Sequence, residues 1–132
     1  MRYLTAEEIL VIHAWIIDAT GGLHGVRDVH LLASLAERPK MQFGGNDLYK
    51  TPFDKAAAYF ESCAYHHVFT DGNKRTAIAL AARFLFTNGY ELRATNDGIE
   101  KFVLRAIEKK YAREKIVHWL RVHSKKIRKG VK

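Results

Sequence analysis

The sequence holds one cysteine, Cys63, two prolines and no apolar run of membrane-spanning length. A lone cysteine excludes an internal disulfide and a cysteine-built zinc cage, and it suits a reducing compartment. Cys63 reads as a small buried apolar residue. The longest apolar stretch, Ala77 to Phe86, is broken by Arg83 and falls short of the ~20 residues a transmembrane helix needs. Glu7 and Glu8 precede the first apolar run and Asp18 closes it without a small-residue cleavage site, unlike a signal peptide. These absences predict a cytoplasmic protein with no membrane span. What is present, 132 residues at 48% hydrophobic and 27% charged, describes one globular domain rather than a disordered chain.

The net charge of +8 is unevenly placed. From Tyr111 to Lys132 there are eight Lys and Arg against one acid, Glu114, which is +7; residues 1–110 carry only +1. The excess belongs to the C-terminal end, where cations complement the negative end of a last helix. The reading is therefore a domain over residues 1–124 and a solvated basic tail over 125–132, dispensable for catalysis. A basic helical module binding nucleic acid through that tail is the rival from another functional class.

Turn and cap residues divide the chain into helices. Thr5 and Glu8 form a capping-box pattern ahead of Ile9, Leu10, His13, Ile16 and Ile17, predicting a helix from Ala6 to Ala19. Asp28 caps a short helix carrying Leu31, Leu32 and Leu35 up to Arg38-Pro39. Lys40 to Lys50 lacks a helical period but centres on Gly44-Gly45-Asn46-Asp47, which reads as a hairpin flap. Thr51-Pro52 starts a helix ending near His66. Lys74 to Thr87, apolar almost all round and stopped by Asn88-Gly89, should be the central helix. Thr95 to Asp97 cap another, and Ile116, Val117, Leu120 and Ile127 mark the last. Trp15, Trp119 and a hydrogen-bonded His13 are assigned to the core. The fold class is all-α, with about six helices and one short β-hairpin flap.

The run His66 to Arg75 is too polar for a mere connector. A helix N-terminus offers free N–H groups and partial positive charge, so it holds anions. Gly72 permits close backbone approach, Asn73 offers amide donors, and Lys74 and Arg75 add charges that match phosphate. Asp71 would repel that phosphate unless Mg²⁺ lies between them. Histidine can take a proton from a hydroxyl near neutral pH, which makes His67 a general base. Together these residues suit group transfer from a Mg-nucleotide such as ATP. The structural alternative has Asp71 capping the helix, Lys74 and Arg75 solvated, and His66 as a polar helix end. His118 and His123, five apart, do not stack as a metal pair.

The string His67-Val68-Phe69-Thr70-Asp71-Gly72-Asn73-Lys74-Arg75 resembles the H-x-F-x-D-x-N-K-R signature of the death-on-curing (Doc) toxins, a branch of the Fic superfamily. The likeness continues in Gly25-Val26-Arg27-Asp28, Leu31-Leu32, Arg38-Pro39, Phe53-Asp54-Lys55-Ala56-Ala57, Thr76-Ala77 and Asn88-Gly89-Tyr90, covering roughly Tyr3 to Leu120. It implies a Fic-type helical bundle. Fic adenylyltransferases resemble H-P-F-x-D/E-G-N-G-R-x-x-R, whereas this chain has Val68, Lys74 and Ile78 at three of those positions. Lys74 would intrude on a diphosphate and Ile78 removes a second clamp, which argues against AMP transfer. The Doc-like pattern implies instead a protein Ser/Thr kinase that uses Mg²⁺ and ATP. Its implied target is a hydroxyl of a translation factor, elongation factor Tu, so that translation stops.

Carried over position by position, the resemblance makes His67 the general base, Asp71 the Mg²⁺ ligand or base-orienting acid, and Asn73, Lys74 and Arg75 the phosphate contacts beside Gly72. The flap from Met41 to Tyr49 would hold the target by strand-like pairing. No inhibitory S/T-x-x-x-E-G/N string occurs. The resemblance therefore implies a toxin–antitoxin system in which a separate cognate antitoxin lays an amphipathic segment in an apolar groove, with nucleic acid engaged only through that antitoxin.

Overall fold

The computed structural model describes residues 1–127; the tail cations Arg128, Lys129 and Lys132 lie outside the described residues. The expected caps form. Thr5 and Glu8 close a capping box on α1 (Ala6–Thr20), Asp28 accepts from two N–H groups of α2 (Val29–Glu37), and Thr51 with Asp54 boxes α3 (Pro52–His66). Such caps contribute about 1 kcal/mol each, enough to fix where a marginal helix begins. The remaining helices are α4 (Asn73–Thr87), α5 (Asn96–Glu108), capped by Thr95, and α6 (Arg113–Val122). The flap is a hairpin of β1 (Gln42–Phe43) and β2 (Asn46–Asp47), in register Gln42 to Asp47 and Phe43 to Asn46. Gly44 and Gly45 both have positive φ, as the tight hairpin turn requires. Among the described residues, no helix is long and apolar enough to cross a membrane.

The centre of the bundle is α3, not α4. Helix α3 packs against α2, α4 and α6, and ten of its residues are buried, Lys55 and Ser62 included. Helix α4 keeps a solvent edge at Arg83 and Phe86. Apolar composition alone favoured α4; the polar residues of α3 are tolerated inside because each finds a partner. Lys55 donates to Asp47 and Tyr49, and Ser62 accepts from Arg38.

Two further expectations are corrected. Trp15 is 74% exposed on α1, whose buried face is Ile9, His13 and Ile17. The last helix does not reach Ile127: it stops at Val122, and β4 (Ser124–Lys126) pairs antiparallel with β3 (Tyr90–Leu92), Lys125 opposite Glu91. The Ile127 N–H then donates to Gly89 O at 2.8 Å. Strand β4 straddles the 124/125 boundary, so the consequences of truncation depend on where the cut falls. A chain ending at Ser124 should be about 1–2 kcal/mol less stable than one ending at Ile127, from the missing strand bonds. Thermal denaturation of the two truncations checks this.

Candidate functional site

The run His67 to Arg75 comprises the turn between α3 and α4, His67 to Gly72, and the first three residues of α4, and it is stiffened from four directions. Backbone bonds join it to the loop after α1: Arg27 N–H donates to Val68 O at 2.9 Å and Thr70 N–H to Gly25 O at 3.0 Å. Val68 and Phe69 are buried anchors. The His13 ring stacks on Phe69 with centroids 3.8 Å apart, and its Nε2–H donates to the Asp71 carbonyl at 2.8 Å. The Cys63 thiol, buried as expected and pushed far above its ordinary pKa by desolvation, donates to Asn73 O.

His67 closes α3 in the left-handed conformation, φ +51°, with its side chain exposed. For a residue with a Cβ that backbone costs on the order of 1 kcal/mol. Arg27 holds it there: its Nε donates to His67 O at 2.6 Å and its Nη2 to His66 O at 3.0 Å. His66 is exposed and is held through its carbonyl alone. The sequence carried no signal for Arg27 beyond its place in the family-like string, because its partners are main-chain oxygens. Arg27→Gln should cost about 1 kcal/mol of stability. It should lower the catalytic rate on the order of tenfold with nucleotide affinity unchanged; melting curves and a kcat-against-KM comparison read the two effects.

Below the histidine, α4 begins without a side-chain cap. Its N-cap, Gly72, has φ +74°, and a Cβ there would lie 2.8 Å from Ile17 Cδ1. The left-handed backbone is what calls for glycine, since the Ile17 methyl could move aside. With no capping side chain, the first α4 N–H groups face outward beside two cations, which oppose the helix dipole and make the end more electropositive still. Lys74 is exposed and, among the described residues, has no ion pair or side-chain hydrogen bond. Arg75 is tied to the end of α1, donating to Thr20 Oγ1 and to Gly21 O. The structural alternative, in which both cations are simply solvated, does not hold for Arg75.

Asn73 is buried at the start of α4. Its side chain turns inward, Oδ1 accepting from Phe69 N–H and Nδ2 donating to Phe69 O, both at 2.9 Å. The amide therefore braces the turn, and exposed Lys74 and the first backbone N–H groups of α4 are the donors most open to an anion. The Asp71 carboxylate accepts from Leu23 N–H at 3.1 Å and Gly72 N–H at 2.9 Å. These backbone bonds, with Arg75 and His13 nearby, hold its pKa below the ordinary 3.8, so it is ionised throughout the neutral range. No hydrogen bond joins Asp71 to His67 among the described residues; His67 is held through its backbone. Gly22 sits against Asp71 so closely that a Cβ would come within 2.6 Å of Oδ2.

His67, Thr70, Asp71, Gly72, Asn73, Lys74 and Arg75 line one cleft of about 370 Å³. Beside it, Lys74, Arg75 and Ile78 continue into a smaller cleft of about 250 Å³ with Asn96, Ile99 and Val103. A proton acceptor, an uncapped electropositive helix end and an ionised carboxylate thus share one opening.

An all-α bundle whose histidine-bearing turn stands over an uncapped helix N-terminus is a Fic-type fold. Sequence comparison agrees: the model of the Fic/DOC family matches residues 3–85. Toxin Doc of Mycolicibacterium smegmatis (strain ATCC 700084 / mc(2)155) is 43% identical over 96 residues, spanning 73% of this chain and 72% of that protein. Protein kinase doc of Escherichia phage P1 is 32% identical over 92 residues, 70% of this chain and 72% of the phage protein. The chain belongs to the Fic/Doc family.

Proposed function

We propose that this chain is the toxin of a toxin–antitoxin pair and acts in the cytoplasm as an ATP-dependent protein kinase, phosphorylating a hydroxyl of elongation factor Tu and arresting translation. The observation that carries the reading is the single cleft in which exposed His67 faces the uncapped start of α4 with Lys74 and Arg75. The names of the two relatives, a toxin and a protein kinase, point the same way. Ile78, which lies in the adjoining cleft where adenylyltransferase-like sequences have an arginine, favours phosphate over AMP transfer.

His67 removes the proton of the target hydroxyl as that oxygen attacks the γ-phosphorus, and ADP departs. Lys74 and the backbone N–H groups of α4 hold the phosphate charge, and Arg75 both contributes charge and fixes the α4 start to α1. No group of three or more His, Cys, Asp or Glu among the described residues could hold a metal alone. A single ionised carboxylate, Asp71, suits an ion that arrives with phosphates and retains its waters. When bound, Mg²⁺ supplies neutralisation of phosphate charge.

The flap would present its paired backbone to the target, with Phe43, 83% exposed, at its tip. A groove of about 450 Å³ along α1, lined by Val11, Ile12 and the exposed Trp15, suits the amphipathic segment of an antitoxin. Intact-mass measurement of elongation factor Tu after incubation with the protein, ATP and Mg²⁺ tests the reading. A gain of about 80 Da supports phosphorylation, whereas a gain of about 329 Da, the mass of an AMP group, or no gain at all, rejects it.

A further inference from the structure

A cleft of about 670 Å³, larger than the one of about 370 Å³ at the His67 turn, opens elsewhere on the molecule. It lies between α5 and α6, beyond residues 3–85 that the family model matches. Its floor is apolar and aromatic, formed by Phe102, Leu104, Tyr111 and Trp119. Around it stand Lys101, Arg105, Lys115 and His118, all exposed, and no carboxylate belongs to the lining. Lys101 is partly neutralised by Asp97 at 3.0 Å. Arg105 and Lys115 have no ion pair among the described residues, and Lys115 Nζ rests over the Tyr111 ring, 4.5 Å from its centroid.

We infer that this groove binds an acidic peptide segment of a partner protein, one that carries a leucine or aromatic side chain among its carboxylates. Charge complementarity fixes the sign of the occupant, and the recessed floor calls for an apolar anchor. A single-stranded nucleic acid would satisfy the charge but needs open ring faces on which to stack its bases. Those faces are taken. Trp119 lies face to face with Phe102 at 4.1 Å and with His123 at 4.3 Å, and Tyr111 is covered by Lys115. A side chain inserting beside the rings remains sterically open. None of the groove's residues lines the His67 cleft, and only Leu104 is shared with the smaller cleft beside it, so the inference does not depend on the transfer chemistry.

Panning a random 12-residue peptide phage library on the full chain tests it. The expected result is enrichment of net-negative sequences with an embedded leucine or aromatic residue. The most enriched peptide, made synthetically, should bind the Arg105→Glu/Lys115→Glu variant at least about tenfold more weakly. It should bind an Arg2→Glu/Lys109→Glu variant, with equal charge change at exposed positions outside the groove, within about threefold of the parent. The substituted positions are exposed, and should the reversal unfold the domain, Arg105→Gln/Lys115→Gln gives the same reading with a smaller effect. No enrichment, enrichment of basic or uncharged sequences, or affinity unchanged in the groove variant would overturn the inference. So would a 12-nucleotide thymidine oligomer that binds the groove more tightly than any peptide.

Discussion

Replacing His67 by alanine should abolish transfer, by on the order of 10²-fold or more, while leaving the melting temperature within a degree or two of the parent. The imidazole is exposed and makes no side-chain hydrogen bond among the described residues, so the fold does not lean on it. His67→Gly makes the separation sharper. Glycine adopts φ +51° without the Cβ clash, so this variant should be equally inactive yet more stable, by up to about 1 kcal/mol. Single-turnover kinetics beside chemical denaturation read both quantities. A His67→Gly protein that keeps its activity would remove the imidazole from the chemistry; one that unfolds would show the side chain to be structural.

The largest stability effect should come from Lys55, which is only 1% exposed. Its Nζ donates to Asp47 Oδ2 at 3.1 Å and to the Tyr49 carbonyl, and lies 5.6 Å from the centroid of the Tyr3 ring. One cation thus pins the flap to the centre of the bundle. Lys55→Ala removes the packed stem and leaves a carbonyl without its donor, for a combined cost of about 2–4 kcal/mol. Amide exchange over Gln42 to Asp47 should accelerate well beyond the global loss, because the flap opens first.

Acid should probe the same contact. Hydrogen bonds from Gln42, then Lys55, lower the Asp47 pKa below 3.8. A lowered folded pKa means this contribution is complete above pH 3.8 and is lost as pH falls through the folded value. Flap protection should therefore persist through mildly acidic solution. Loss of protection at pH 5 would show that Asp47 is not the partner.

What the sequence disclosed was local. Thr5 with Glu8, Thr51 with Asp54, Asp28 and the paired flap glycines act within four residues, so their spacing was visible in the string. The His67 to Arg75 turn was visible for the same reason. Less legible were features set by distant partners. On helix α1 the spacing picked out Ile9, His13 and Ile17, which do face inward, but it could not say that Trp15 faces solvent. Strand β4, Ser-Lys-Lys, has no apolar alternation and owes its conformation to β3. Asn73 was assigned to the ligand because an amide can donate in either direction; the Phe69 main chain claims it. Arg27 and Lys55 went unread as anchors because carbonyl oxygens leave no mark in a sequence.

The central claim is that the cleft under His67 moves the terminal phosphate of ATP. The most direct measurement incubates elongation factor Tu and Mg²⁺ with the parent or the His67→Ala protein, using ATP labelled in parallel at the γ- or the α-phosphate. Label from γ-phosphate alone should appear on a target hydroxyl with the parent protein, and none with His67→Ala. Label from α-phosphate, or equal γ-labelling by the two proteins, would contradict the account.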